Sequence, residues 1–134
     1  MDEKHNDVLK LIVFSFGFKH GVPVDASILL DVRFLPNPYW EDHLRHLSGR
    51  EPEVASFVVD SEQGAQFFYL LEPLLSFIAD QLQAAGKREL RIGIGCTGGR
   101  HRSVAVVEAL GSIFRERADL ELAIFHRDID KHAD

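Results

Sequence analysis

Apolar residues recur along the chain in two periods, and the places where one period gives way to the other outline the elements. Val8 to Phe16 (VLKLIVFSF) is rich in β-branched and aromatic residues and is apolar enough to predict a first strand, central in a sheet. Gly17 to Gly21 breaks it, and Pro23-Val24-Asp25 continues the turn. Asp25 is placed to cap a short turn or helix running through Leu30. Asp31 to Phe34 reads as a second short strand. Pro36 and Pro38 then make 35–40 a loop, because each removes a donor and restricts its predecessor. Residues 41–60 read as two short helical pieces joined near Ser48-Gly49-Arg50, the second with Val54, Phe57 and Val58 on one face. The longest helical pattern covers 62–85, with Phe67, Leu71, Leu74, Ile78 and Leu82 along one side, and Gly86 ends it. Pro73 lies inside that pattern and either starts a new helix or kinks one.

The period of two returns at Leu90, Ile92 and Ile94, which predicts a buried strand. A glycine-bearing loop follows, and Val104, Val107, Leu110 and Phe114 then keep the spacings of a helix face. Leu120 to Phe125 is a last strand. The strand–helix–strand order from 90 to 125 implies a parallel crossover. The predicted fold is α/β: a single three-layer domain over residues 1–134, with a small, mainly parallel sheet of about four strands. Residues 1–6 and 128–134 read as flexible polar ends.

The chain has 134 residues, enough for one core, and its 46 % hydrophobic and 27 % charged residues are those of a globular protein. No apolar run approaches the length of a bilayer crossing, no secretory signal pattern opens the chain, and a single cysteine forbids an internal disulfide. A cytoplasmic protein without membrane attachment is expected. The net charge of −6 argues against a surface generally suited to nucleic acid. Any RNA would need a local patch drawn from Lys19, His20, Arg33, Arg45, His46, Arg50, Arg100, His101 and Arg102.

The candidate chemistry lies in Cys96-Thr97-Gly98-Gly99-Arg100-His101-Arg102-Ser103. Gly98 and Gly99 permit unusual backbone angles and leave amides uncovered, and a helix begins where they end. Unpaired amides, the positive end of the helix dipole and three cationic or titratable side chains together make a receptor for a phosphate-like anion. Cys96 and Arg102 are separated by five residues, the spacing of cysteine-dependent phosphatases, which makes Cys96 nucleophile and Arg102 phosphate clamp an alternative reading. Against it, Gly95 stands where those enzymes usually carry histidine, and only Asp31 and Asp60 offer themselves as the acid. No Walker-type glycine–lysine loop is present. His43 and His46 lack a third partner of recognisable spacing, so no metal and no cofactor is expected. Ser15, Lys19 and His20 are either a second anion- or sugar-contacting loop or solvated turn residues. Asp31 and Arg33 are either an ion pair or ligand contacts. Tyr39 and Trp40 are candidates for stacking on a sugar or base, Trp40 with the stronger claim to anchoring the proline loop in the core.

Two blocks carry a resemblance. Ser15-Phe16-Gly17-Phe18-Lys19-His20-Gly21 with Pro23, Asp25 and Asp31 to Pro38 is one, and Ile94 to Val104 is the other. Together they resemble the C-terminal domain of the RapZ family of RNase adapter proteins, over about residues 11–127. The resemblance implies a free-standing version of that domain, without the P-loop domain that precedes it in larger members. It implies binding of the amino-sugar phosphate glucosamine 6-phosphate and of small RNA, a protein partner as an adapter would have, assembly into homo-oligomers, and no established catalytic reaction. It places Thr97, Gly98, Gly99, His101 and Arg102 on the phosphate and Lys19, Arg33 and Asn37 in the same pocket. The chain departs from the family at Arg100, commonly lysine, and at Tyr39, commonly histidine. It departs again in its tail, which is strongly basic in RNA-binding relatives and here sets three aspartates against two cations from His126 to Asp134.

Overall fold

The computed structural model describes residues 8–131. Four strands, β1 (Leu9–Gly17), β2 (Ile28–Asp31), β3 (Glu89–Cys96) and β4 (Leu120–His126), form one sheet in the order β2-β3-β1-β4, with every pair parallel. The helices are α1 (Pro52–Val59), α2 (Glu62–Ala84) and α3 (Arg102–Phe114). The expectations for 1–6 and 132–134 lie outside the described residues.

β1 is central because it is apolar on both faces. Leu9, Leu11 and Val13 point into one core with Leu90, Ile92 and Ile94 of β3, and all three helices close over that side. The expected small α/β domain with a four-stranded parallel sheet is what is found, and no residue of α1, α2 or α3 joins the cluster on the sheet's other face. That face is sealed by aromatic rings. A Cβ on Gly93 would lie 3.1 Å from the Phe14 ring, and one on Gly95 would lie 2.5 Å from Phe16 and 2.6 Å from Phe18. The two glycines of β3 are thus the slots into which these rings fold. Phe125 stacks on Phe14 at 5.0 Å, and the guanidinium groups of Arg91, Arg33 and Arg127 cap Phe14, Phe18 and Phe16 in turn. Parallel sheets need cover on both faces, and here side chains of the sheet and its loops supply it.

Several expectations give way. Asp25 starts no helix: its carboxylate and carbonyl both meet Arg91 of β3, and β2 begins at Ile28, earlier than its expected start at Asp31. The ladder still reaches Val32, whose amide donates to the Gly95 carbonyl at 2.9 Å. Of the two helical pieces expected in 41–60, the second is α1, whereas 42–47 only turns. α2 is one helix that runs through Pro73, and it buries Leu71, Leu75 and Ala79, so its inward face lies closer to Leu75 than to the expected Leu74.

Candidate functional site

The register Gly17↔Cys96 brings the carboxyl ends of β1 and β3 side by side, where ligands of open α/β sheets bind. Two connections leave from there and touch along their backbones. Lys19 N–H donates to the Thr97 carbonyl at 3.1 Å. A Cβ on Gly17 would fall 2.4 Å from the Gly98 carbonyl carbon, and one on Gly99 would fall 2.6 Å from the Gly17 nitrogen. Gly99 also has φ +80°, a region costly to any other residue. Glycine at 17 and 99 therefore lets the two loops meet without side chains between them. At Gly98 an added Cβ would meet nothing within 4 Å.

Around this seam the cations are held by carbonyls. Arg102 is 6 % exposed. Its guanidinium donates to the carbonyls of Arg33 (2.7 Å) and Leu35 (3.4 Å) and to Thr97 Oγ1 (3.4 Å). Arg100 donates to the carbonyls of Ile129 and His46. His101 precedes α3 as its cap residue and places Nε2 3.0 Å from the Arg45 carbonyl. A carbonyl can only accept, so Nε2 carries the proton. Burial pushes this imidazole below its ordinary value, the Arg45 carbonyl partly opposing it. A neutral ring protonated at Nε2 leaves Nδ1 as an acceptor. Among the described residues, no backbone or side-chain acceptor takes the amide hydrogens of Gly98, Gly99, Arg100 or His101.

These groups line a cavity of about 440 Å³ together with Lys19, Asn37, Tyr39, Trp40, Cys96, Thr97 and Lys131. Among the described residues, no carboxylate lines it. In a chain of net charge −6, that sign reversal is local and strong. Gly98 lines it as well. Of the 96–103 loop and the pocket residues that the resemblance implies, Arg33, Gly99 and Ser103 lie outside the lining. Arg33 forms a bidentate pair with Asp31 at 2.6–2.9 Å and lies over Phe18, so the ion-pair reading describes it, and only its carbonyl reaches the site. Gly99 is spent on the contact with Gly17. Ser103 is fully buried and accepts from the Cys96 thiol at 3.1 Å.

The neighbours of the loop revise other expectations. Ser15 is no ligand group: it is fully buried with Oγ 2.7 Å from His126 Nδ1, and His126 Nε2 meets Glu108 at 2.7 Å. Trp40 does not anchor the proline loop in the core. It is 72 % exposed, edge-on to Tyr39 at 5.1 Å, at the mouth of the cavity. Asn37 holds this loop instead, its Oδ1 accepting from the Tyr39 amide. His43 and His46 are exposed, and among the described residues no three potential ligands gather as a metal site.

The tail brings what sequence reasoning missed. Asp128, placed in an end read as loose, is fully buried and accepts from the Gly17 amide at 2.8 Å, from Arg127 and from Lys131. It thereby draws Lys131 to the cavity wall. Gly49 is a second omission. Its amide donates to the Arg100 carbonyl, and a Cβ there would lie 2.4 Å from the His101 carbonyl oxygen, so the 48–50 turn supports the first turn of α3. A lone aspartate in a mixed-sign tail and a glycine in a turn give no signal of either role.

No helix among the described residues is long and apolar enough to cross a membrane. The chain is 47 % identical over 119 residues to a nucleotide-binding protein of Mycobacterium tuberculosis, covering 89 % of this chain and 40 % of that protein. It is 45 % identical over 130 residues to a nucleotide-binding protein of Halalkalibacterium halodurans, covering 97 % of this chain and 43 % of the relative. A nucleotide-binding protein of Mycobacterium leprae matches at 45 % over 119 residues. The chain thus spans about two-fifths of the length of the curated relatives it matches. The family model of the RapZ C-terminal domain matches residues 9–130, and with it the chain belongs to the RapZ C-terminal domain family.

Proposed function

We propose that this domain is a regulatory receptor for a phosphorylated small molecule, with a sugar phosphate such as glucosamine 6-phosphate as the first candidate. The observation that carries the reading is the cavity at the start of α3, lined among the described residues by no carboxylate, where Gly98, Arg100 and His101, whose amides hold no acceptor among those residues, come together with Lys19, Arg102 and Lys131. A phosphate there is met by backbone donors, by the helix dipole and by charge at once. Because His101 Nε2 is committed to Arg45, its free nitrogen suits a donor on the ligand, such as a sugar hydroxyl or amine, better than a phosphate oxygen. Tyr39 and Trp40 offer an aromatic edge to the ring. The relatives' printed names speak of nucleotides, whose phosphates would use the same donors.

Receptor rather than phosphatase is supported by the nucleophile and the acids. The Cys96 thiol is buried and turned to Ser103, and Asp31 is tied to Arg33. Asp60, the other acid considered, bonds to Ser56 and does not line the cavity.

Titration calorimetry tests the reading with glucosamine 6-phosphate, glucose 6-phosphate, a nucleoside monophosphate and unphosphorylated glucosamine. Phosphorylated ligands should bind and glucosamine should not. Lys19→Met, which removes a surface charge and leaves the buried arginines alone, should weaken binding by about tenfold or more. Cys96→Ser should leave binding intact, with para-nitrophenyl phosphate unhydrolysed by either protein. Equal binding of glucosamine and its phosphate, or no effect of Lys19→Met, would overturn the proposal.

A further inference from the structure

Trp40 is the chain's single tryptophan, and it is 72 % exposed at the mouth of the cationic cavity. A ring of that size ordinarily gives its area to a core. Here its aromatic neighbour is Tyr39, met edge-on at 5.1 Å and 87°. The ring is nonetheless held in place. Pro36 and Pro38 stiffen the backbone before it, and the Trp40 amide donates to the Asn37 carbonyl at 3.3 Å. Arg45 clamps Tyr39 twice, donating from Nε to its carbonyl at 2.7 Å and setting the guanidinium 5.2 Å from its ring centre. Asp42 fixes Arg45 in turn at 3.0 Å. The loop therefore presents an apolar ring to the cavity with little ordering left to do when a ligand arrives.

The groups along the cavity specify what that ring would meet. Lys19 and the 98–102 loop, with its amides and cations, suit a phosphate. His101 stands between that loop and the aromatic pair, since its Nε2 donates to the carbonyl of the same Arg45 that clamps Tyr39. Its Nδ1 is left as an acceptor and suits a hydroxyl. Trp40 comes last and offers a π-face. A ligand that answers all three carries a phosphate, a hydroxylated sugar and a planar ring. A hexose phosphate supplies the first two, and a phosphorylated aromatic without a sugar lacks the second.

We propose that nucleoside monophosphates are a further ligand class of this cavity, with the base stacked on Trp40. The inference rests on the phosphate-receptor reading and adds the base to it. Every base has a π-face, so the site accepts purines and pyrimidines alike and favours the larger purine face.

Calorimetry with AMP, UMP and ribose 5-phosphate isolates the base. AMP should bind about tenfold more tightly than ribose 5-phosphate, with UMP between them. Because the chain holds no second tryptophan, AMP should also quench the intrinsic tryptophan emission, which ribose 5-phosphate should leave largely unchanged. Trp40→Ala should erase the difference between AMP and ribose 5-phosphate, and Trp40→Phe should restore most of it, both with an unchanged circular dichroism spectrum. Equal affinities of AMP and ribose 5-phosphate for the wild type, or an AMP advantage that survives Trp40→Ala, would overturn the proposal and leave the phosphate receptor standing. Failure of all three ligands to bind would overturn it as well, and glucosamine 6-phosphate then shows whether the receptor reading falls with it.

Discussion

Asp128 shows how one side chain can hold both halves of the site. Burial alone would raise its pKa. Hydrogen bonds from Arg127, the Gly17 amide and Lys131 more than reverse that and bring it down to about 2. The folded state therefore favours the carboxylate more than the unfolded chain does, where an aspartate titrates near ~3.9. The resulting stability is present in full above the unfolded value and is lost as pH falls through the folded one. The difference corresponds to about 2–3 kcal/mol. Asp128→Asn should accordingly be less stable than wild type by that order at pH 7 in urea unfolding, with the gap closing as pH falls from about 4 to about 2. A gap that stays constant across that window would mean that the carboxylate's charge is not what holds Gly17. His101 adds to the same acid sensitivity by another cause: burial disfavours its charged form, so acidification through about 6.5 charges the unfolded chain first and weakens the fold.

At the scale of elements, α2 carries an internal contradiction. Pro73 lies in the interior of a helix that nonetheless continues on both sides. It donates no hydrogen bond to the Tyr69 carbonyl, and a proline in such a place costs about 3 kcal/mol relative to alanine. Packing of Leu71, Leu75 and Ala79 into the core offsets that cost. Pro73→Ala should raise the urea midpoint with an unchanged slope, by about 1–3 kcal/mol; a lower midpoint would show that the helix is shaped around the proline. The same helix shows what could be read from sequence. β1, β3 and α3 were legible because each is buried along a whole face and declares its period, and β4 because its apolar residues run unbroken from Leu122 to Phe125 although only Leu120 is buried. β2 was misplaced because it is a four-residue edge strand with alternating half-buried residues, and its boundary is set by Arg91 on its neighbour. The inward face of α2 was legible only in part, since a helix apolar on two sides has no single stripe. In the site, the loop from Cys96 to Arg102 was legible from its glycines and cations. The contributions of Asp128, Lys131 and Gly49 were not, because each depends on contacts across distant sequence.

Across the whole molecule, charge decides which phosphate the site suits. Most of the arginines outside the cavity are spent on carboxylates: Arg33 on Asp31, Arg45 on Asp42, Arg91 on Asp25, Arg117 on Asp80 and Asp119, and Arg127 on Asp128. The four cations in the cavity wall are clustered at one mouth instead of being spread along a track. A small anion there would face all four at once, with Lys19 the one that holds no carbonyl or carboxylate by its side chain among the described residues, whereas an RNA strand would reach few beyond them and would meet a net charge of −6. Each phosphate contact contributes about 0.7 to the logarithmic salt slope for a single strand, so four contacts give a slope no steeper than ~3. In mobility-shift titrations from low to physiological salt, any RNA binding by this domain should therefore show that shallow slope. A saturating hexose phosphate should abolish it, because both compete for the same amides and cations. A slope twice as steep, or a shift that survives the sugar phosphate, would require a second basic surface that the described residues do not provide. The sign and the size of the cavity thus support the same proposal: a compact, phosphorylated ligand whose charge would be matched at one end of one helix.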